Sequence, residues 1–339
     1  APLAVLFAAG LAVAGCGSAG TGDDGADAAQ DASGDGAAVV TTTMLGDVVA
    51  DIMECAGGTS ETLMPVGVDP HDFSASSEQV ASMVSAQLVV ANGLGLEEGL
   101  ESALEGAEAD GAVVVEVAPL VDPIEFGGGH SHEDGEEHSE EDDHSDEEHS
   151  GEDHSDEEHA HDNGSMDPHF WHDVGRMAEA AELIGAELAD VTGDDTYGAC
   201  GTDVHDELVE VDAEVRDILA AVPADQRVLI TDHDALGYFA DAYDFEVAGV
   251  VIPGGATLAE PSSQELSELV ETIDAEAVPV VFSNNANPTD LVAAVAAEVG
   301  DDIDVVELYI GSLGPEGSDA ETYVGMVTTN AERIAAALG

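Results

Sequence analysis

The stretch LVVANGLGLEEGLESALEGAEADGAVVVEVAPL, residues 88–120, passes from one apolar pattern to another and back. Two β-branched runs, LVVANG (88–93) and VVVEVAPL (113–120), flank the helix-like LEEGLESALEGAE. Strand–helix–strand alternation of this kind implies parallel strands with helices on the faces of the sheet. Upstream, VVTTTML (39–45) reads as a first buried strand, and GDVVADIMECAG (46–57) as a helix stopped by Gly57-Gly58. ETLMPVG (61–67) follows as a strand, and SSEQVASMVSA (76–86) as a helix with a Ser/Glu start signal.

Downstream, MDPHFWHDVGRMAEAAELIGAELADV (166–191) opens with a Pro-containing turn and becomes a helix, and an amphipathic stretch from about Asp203 to Ala221 bridges to a second alternating region. Its strands are RVLITD (227–232), VAGVVIP (247–253), VPVVFSN (278–284) and DVVELYI (304–310), with helices at about 235–243, 262–275, 288–299 and 319–338. The expected fold is therefore α/β in two lobes, each a parallel sheet flanked by helices. The N-terminal lobe takes residues 38–126 and 163–202, the linking helix 203–222 and the C-terminal lobe 223–339.

Residues 127–162 interrupt this pattern. Within them HSHEDGEEHSEEDDHSDEEHSGEDHSDEEHAHD (130–162) holds eight histidines and seventeen acids without apolar periodicity, so a disordered His/Asp/Glu-rich loop is expected. The unit HSDEEH occurs at 144–149 and again at 154–159.

The amino terminus reads as a targeting segment. APLAVLFAAGLAVA is apolar and uncharged but short for a permanent membrane span. It lacks the basic start of a signal peptide, so residues 1–15 are expected to be a signal peptide entered part-way. Val13-Ala14-Gly15-Cys16 resembles the bacterial lipoprotein box, which makes Cys16 the expected lipid attachment point. Residues 16–37, rich in Gly, Ala and Asp, form the expected tether. The expected location is extracytoplasmic, on the outer face of the cell membrane, held there only by the lipid. Cys55 and Cys200 lack a CxxC spacing, and whether they pair is left open by the sequence.

Seventy-five acidic residues stand against four arginines and no lysine, a formal net charge of −71. That balance excludes nucleic acid as a partner, because phosphate recognition needs clustered cations. Acid spread over the lobes reads as a solubility device.

Three histidines fall where an α/β protein places its ligands, in loops after strands or at helix starts. His71 lies in VDPHDF just past the second strand, His169 in DPHFWH, and His233 in TDHDALGYF. Two of them share an Asp-Pro-His triplet. Imidazole suits Zn²⁺, Cu²⁺, Ni²⁺ and Fe²⁺, whereas Mn²⁺ sites hold more carboxylate. Asp72, Asp173 and Asp234 are the sequence neighbours positioned to accept a second ring N–H. His172 is expected at a helix start facing solvent, Trp171 as packing beneath the site, and His205 as a polar helix residue with no partner motif.

The segments DPHDF, NGLGLE, DPHFWHD, TDHDALGYFADAYDF, AEPSSQEL and LGPEGSDAETYVGMVTTNAERIAAAL, in this order, resemble the zinc/manganese-type (cluster A) solute-binding proteins of bacterial ABC metal importers, and the likeness runs from Val39 to Leu338. The resemblance implies two α/β lobes joined by a rigid helix, with the metal in the cleft between them. It carries the ligand roles to His71, His169 and His233, and an ABC permease as partner for a monomeric chain that is not an enzyme. His233 and the His-rich insertion point to the zinc-uptake branch, with Zn²⁺ as cargo and Mn²⁺ the second choice. The pattern departs at the fourth ligand, where Gly311 stands in YIGSLG at the position of a carboxylate. Water, Asp69, a loop histidine or Glu307 would have to complete a four-coordinate shell. The alternatives are a manganese or other divalent-metal lipoprotein of adhesin type, and a zinc hydrolase, for which the HExxH spacing is missing.

Overall fold

The computed structural model describes residues 38–126, 166–252, 257, 261–287, 290–300 and 303–339. The signal segment, Cys16, the tether and the His-rich loop at 127–162 lie outside the described residues. So do residues 253–256, at the end of the sixth expected strand.

Two parallel four-stranded sheets carry the fold. The first contains β1 (Ala38–Val40), β2 (Ser60–Thr62), β3 (Leu88–Ala91) and β4 (Val113–Glu116) in the order β2-β1-β3-β4. The second contains β5 (Val228–His233), β6 (Glu246–Ile252), β7 (Val280–Asn284) and β8 (Asp304–Leu308) in the corresponding order β6-β5-β7-β8. Helices α1 (Thr43–Ala56), α2 (Ser77–Ser85), α3 (Glu101–Ala109) and α4 (Val174–Thr192) accompany the first sheet. Helices α6 (Gly237–Tyr243), α7 (Ser263–Glu276), α8 (Asp290–Val299) and α9 (Tyr323–Leu338) accompany the second, and α5 (Thr196–Leu219) runs between them. No helix of the described residues is long and apolar enough to cross a membrane.

Strand β1 is shorter than its β-branched run suggested. Thr42 turns out of the strand and its side chain accepts from the Leu45 amide, so TTTML starts α1 instead of extending β1. The strands then alternate as pleating requires. Ala38, Val40, Leu88 and Val90 enter the main core, while Val39, Val89 and Ala91 face a smaller cluster with Leu63, Met83 and Leu104. Ser76 closes a capping box with Gln79 at the start of α2, in place of the Ser/Glu pair read from the sequence.

Helix α5 begins at Thr196, about two turns before the expected Asp203. It packs along α4 with glycine against glycine: a Cβ on Gly185 would sit 2.7 Å from the Gly201 Cα, so neither position accepts a side chain without parting the helices. Cys55 of α1 and Cys200 of α5 form a disulfide with Cα atoms 5.9 Å apart, which answers the question the spacing left open. The four arginines are all stacked over aromatic rings, at 4.7 to 5.4 Å from the centroids of Tyr238, Tyr243, Phe245 and Tyr309. Their charge therefore serves internal contacts.

Candidate metal centre

Each of the three histidines is placed by a different piece of the fold. His71 sits in the turn after β2, where the Asp72 amide bonds the Asp69 carbonyl and the His71 amide bonds the Asp69 Oδ1 at 3.0 Å. His169 precedes a short 3₁₀ turn, Phe170–His172, that leads into α4. His233 is the last residue of β5 itself, one step earlier than the loop position the sequence suggested.

The three rings meet. Their centroids form a nearly even triangle, 5.3 Å for His71–His169, 5.3 Å for His169–His233 and 5.8 Å for His71–His233. One ring nitrogen from each lies within 4.8 Å of the others, and the Nε2 atoms of His71 and His169 are 3.2 Å apart. Two nitrogens on a tetrahedral ion with bonds of about 2.0–2.1 Å stand roughly 3.3 Å apart, so this pair already has the spacing of two ligands. His169 and His233 are buried, and His71 is half-buried.

The supporting carboxylates are not the expected ones. Asp167, two residues before His169, accepts from the His169 amide at 2.9 Å and faces its Nδ1 at 2.7 Å. Asp232 Oδ1 stands 3.1 Å from His233 Nδ1, poorly aligned, and neither atom has a better partner. The Asp167 contact occupies Nδ1 of His169 and leaves its Nε2 facing that of His71 at 3.2 Å. Of the expected partners, Asp72 is exposed, and Asp173 caps α4 and holds Arg176 at 2.5 Å. Asp234 makes no ion pair with these rings. An acid two residues before a histidine curls back through an Asp-Pro turn, a geometry that adjacency alone does not reveal.

Electrostatics favour the neutral, ligating form at two corners. Burial, reinforced by the other two histidines, lowers His71 to about 3. Burial likewise holds His169 well below the ordinary range. At His233 burial works in the same direction but is outweighed by Asp232, with Asp69 and Asp167 behind it, so its pKa rises. Burial lifts Asp167 to about 7.

His172 does not face solvent. It is buried, with an unpartnered Nε2, and burial pushes its pKa well down. Trp171 is buried as expected, stacked edge-on at 5.2 Å to His169, and its Nε1 donates to the Ile310 carbonyl at 3.0 Å. His205 is on α5, beside Asp206.

The positions considered for a fourth ligand resolve as follows. Glu307 is exposed on β8 and its carbonyl accepts from Arg333. Asp69 lies outside the cluster of atoms within 4.8 Å. Gly311 donates its amide to Asn284 Oδ1 and lies beside Pro70 and Ala286. The loop histidines fall outside the described residues.

Residues with no local sequence signal complete the surroundings. Buried Glu97 accepts from Thr41 Oγ1 at 2.6 Å and from the Asn92 and Gly93 amides. Asn92 in turn donates to the Pro168 carbonyl at 2.9 Å, directly before His169. Tyr238 donates to the Asp167 carbonyl, and Tyr323 to the Trp171 carbonyl. NGLGLE contained the first two, marked by resemblance only.

Residues 38–337 match the family model described as zinc-uptake complex component A, periplasmic. Among similar curated proteins, the zinc-binding protein TroA of Treponema pallidum is 30% identical over 94% of this chain and 94% of its own length. The manganese-binding lipoprotein MntA of Halalkalibacterium halodurans is 28% identical over 98% and 97%. The solved structure of the periplasmic zinc-binding protein TroA from Treponema pallidum superposes with a TM-score of 0.71 at 27% identity, covering 90% of this chain and 99% of that one.

Proposed function

The chain belongs to the zinc-uptake complex component A family of metal-binding ABC substrate-binding proteins, and from this we propose that it captures Zn²⁺ between His71, His169 and His233 for delivery to an ABC permease. The observation that carries the reading is the convergence of three ring nitrogens within 4.8 Å. An all-imidazole set suits zinc better than manganese, which prefers more carboxylate. The relatives carry both metals in their names, so the donor chemistry supports zinc here, and not the likeness alone.

In this reading the N-terminal lobe, 38–126 with 163–202, supplies His71 and His169, and the C-terminal lobe, 223–339, supplies His233. The ion ties the lobes, and the permease reads the tied form. The chain works as a monomer, anchored at Cys16 on the outer face of the membrane, with the 127–162 loop collecting metal. Water completes the shell, since Gly311 offers no ligand.

Metal analysis of protein purified without chelator and lacking residues 130–162 tests the cargo; zinc at one equivalent is expected, and manganese would favour the second reading. Titration calorimetry of the wild type, His71→Ala and His233→Ala tests the ligands. Retention of a tight equivalent by both variants would reject them.

A further inference from the structure

Asp69 carries a carboxylate two residues from His71, yet it is absent from the ligand cluster. Both its oxygens are otherwise engaged. Oδ1 accepts from the His71 amide at 3.0 Å. Oδ2 accepts from Thr257 Oγ1 at 2.5 Å and, with the Asn287 amide oriented nitrogen-first, from Asn287 Nδ2 at 2.7 Å. Thr257 follows β6 and Asn287 follows β7, so both belong to the half of the molecule built on the second sheet. The turn just before it, Pro65–Val68, is joined as well: the Gly67 amide donates to Ser312 Oγ at 2.7 Å. Gly311 lies against this turn: a Cβ there would touch Pro70 Cδ at 3.4 Å and press on the Ala286 Cβ at 3.2 Å.

Taking His71, His169 and His233 as the ligands, we propose that Asp69 is a positioning residue, not a ligand: it fastens the His71 turn to Thr257 and Asn287 across the cleft, so that gripping the ion and closing the cleft are one event. The bonds to Thr257 and Asn287 exist only when the two halves are together. They therefore stabilise the closed, ion-holding form and contribute nothing to the open form that first meets the ion. Removing them speeds release and leaves capture unchanged, which a lost ligand would not do.

The test measures zinc release from the full chain into excess chelator, alongside the association rate. Thr257→Val combined with Asn287→Ala is expected to release zinc about 10-fold or more faster, within the 10–100-fold range of outer-shell losses, at the wild-type association rate. Thr257→Ser, which keeps the hydroxyl, restores slow release. Thr257→Val alone serves if the double variant does not fold. X-ray absorption of the Zn²⁺ form should show the same first shell in wild type and Asp69→Asn. Unchanged release in the Thr257 variants, or loss of an oxygen from the shell in Asp69→Asn, would overturn the inference while leaving the three-histidine site standing. A wild type that held no zinc tightly would overturn the site itself.

Discussion

The two Asp-Pro-His segments have the same triplet and opposite settings. Around His169 the chain is held from all sides: the Asp167 amide bonds the Ile124 carbonyl at 2.8 Å, Tyr238 takes the Asp167 carbonyl, Asn92 the Pro168 carbonyl and Tyr323 the Trp171 carbonyl. Around His71 the turn is half-buried, and its cross-cleft bonds run through Asp69 and the Gly67 amide. The difference assigns roles. In the three-histidine reading, His169 belongs to a buried frame tied by hydrogen bonds from both halves of the molecule. His71, in the same reading, rides on a half-buried turn with fewer such ties. A cargo site needs both properties, since it must bind selectively and still let go.

Removing the fixed ligand should do the most damage. His169→Ala takes away a corner whose neighbours cannot move to replace it. Its zinc affinity should fall by more than the roughly 100-fold upper range of outer-shell losses, as read by chelator competition. His71→Ala should cost less, because a water can enter at a half-buried corner. If the His71 variant proved the weaker binder, the assignment of frame and turn would be inverted.

Acid should weaken binding through the third corner. His71 and His169 stay neutral far below pH 6.5, whereas His233 has its pKa raised, chiefly by Asp232 overcoming burial. A proton on His233 must leave before the ion binds, so affinity should fall as pH drops through that raised pKa, by about tenfold per unit for one competing proton. Titrations between pH 8 and 5.5 should give a limiting slope of one. A slope of two or three would mean that the fixed corner and the turn also take up protons.

Much of this comparison could be read in the sequence, and its limits have physical causes. Both sheets follow from β-branched runs alternating with helical periods, and the three histidines follow from their place after strands. Thr41, Thr42 and Thr43 are β-branched and read as strand, but strand propensity there loses to Thr42's ability to cap α1. Helix-start polarity says nothing about which face is covered, and His172 is buried instead of facing solvent. Adjacency along the chain is not adjacency in space, so Asp72, Asp173 and Asp234 do not support the rings, whereas the i−2 acid folds back at His169. Asn92, Tyr238 and Tyr323 reach backbone carbonyls 76, 71 and 152 residues away, and Glu97 reaches Thr41 across 56, and such contacts leave no local pattern.

Loosening the frame without touching a ligand sharpens the contrast further. Tyr238→Phe removes the hydroxyl that donates to the Asp167 carbonyl at 2.9 Å and accepts from the Ile124 amide at 3.2 Å; the buried carbonyl left unpaired costs about 1–3 kcal/mol. Part of this should appear as lower thermal stability and part as roughly tenfold weaker zinc binding, because Asp167 orients His169. A purely thermal effect, with affinity unchanged, would show that the frame is held redundantly.

The disulfide should matter least to the ion. Cys55 and Cys200 join α1 to α5 over a sequence separation of 145, and closing so long a loop restricts the unfolded chain strongly. The chain-entropy relation gives about 5 kcal/mol, and losses of about 2–5 kcal/mol are usual for native bridges. Neither cysteine belongs to the histidine segments or bonds the residues that hold them. Reduction, or Cys55→Ser with Cys200→Ser, should therefore lower the unfolding free energy by several kcal/mol, read as an earlier denaturant midpoint, while zinc affinity stays at the wild-type value. Stability and affinity respond separately because the bridge acts mainly on the unfolded state, which holds no site, whereas affinity compares two folded states that both contain it. If affinity fell with stability, α5 would have to shift when the bridge opens and carry α4 with it, since Gly185 and Gly201 leave no slack between the two helices. In that case the frame around His169 would depend on the bridge, and the fixed member of the pair would be fixed only in the oxidised protein.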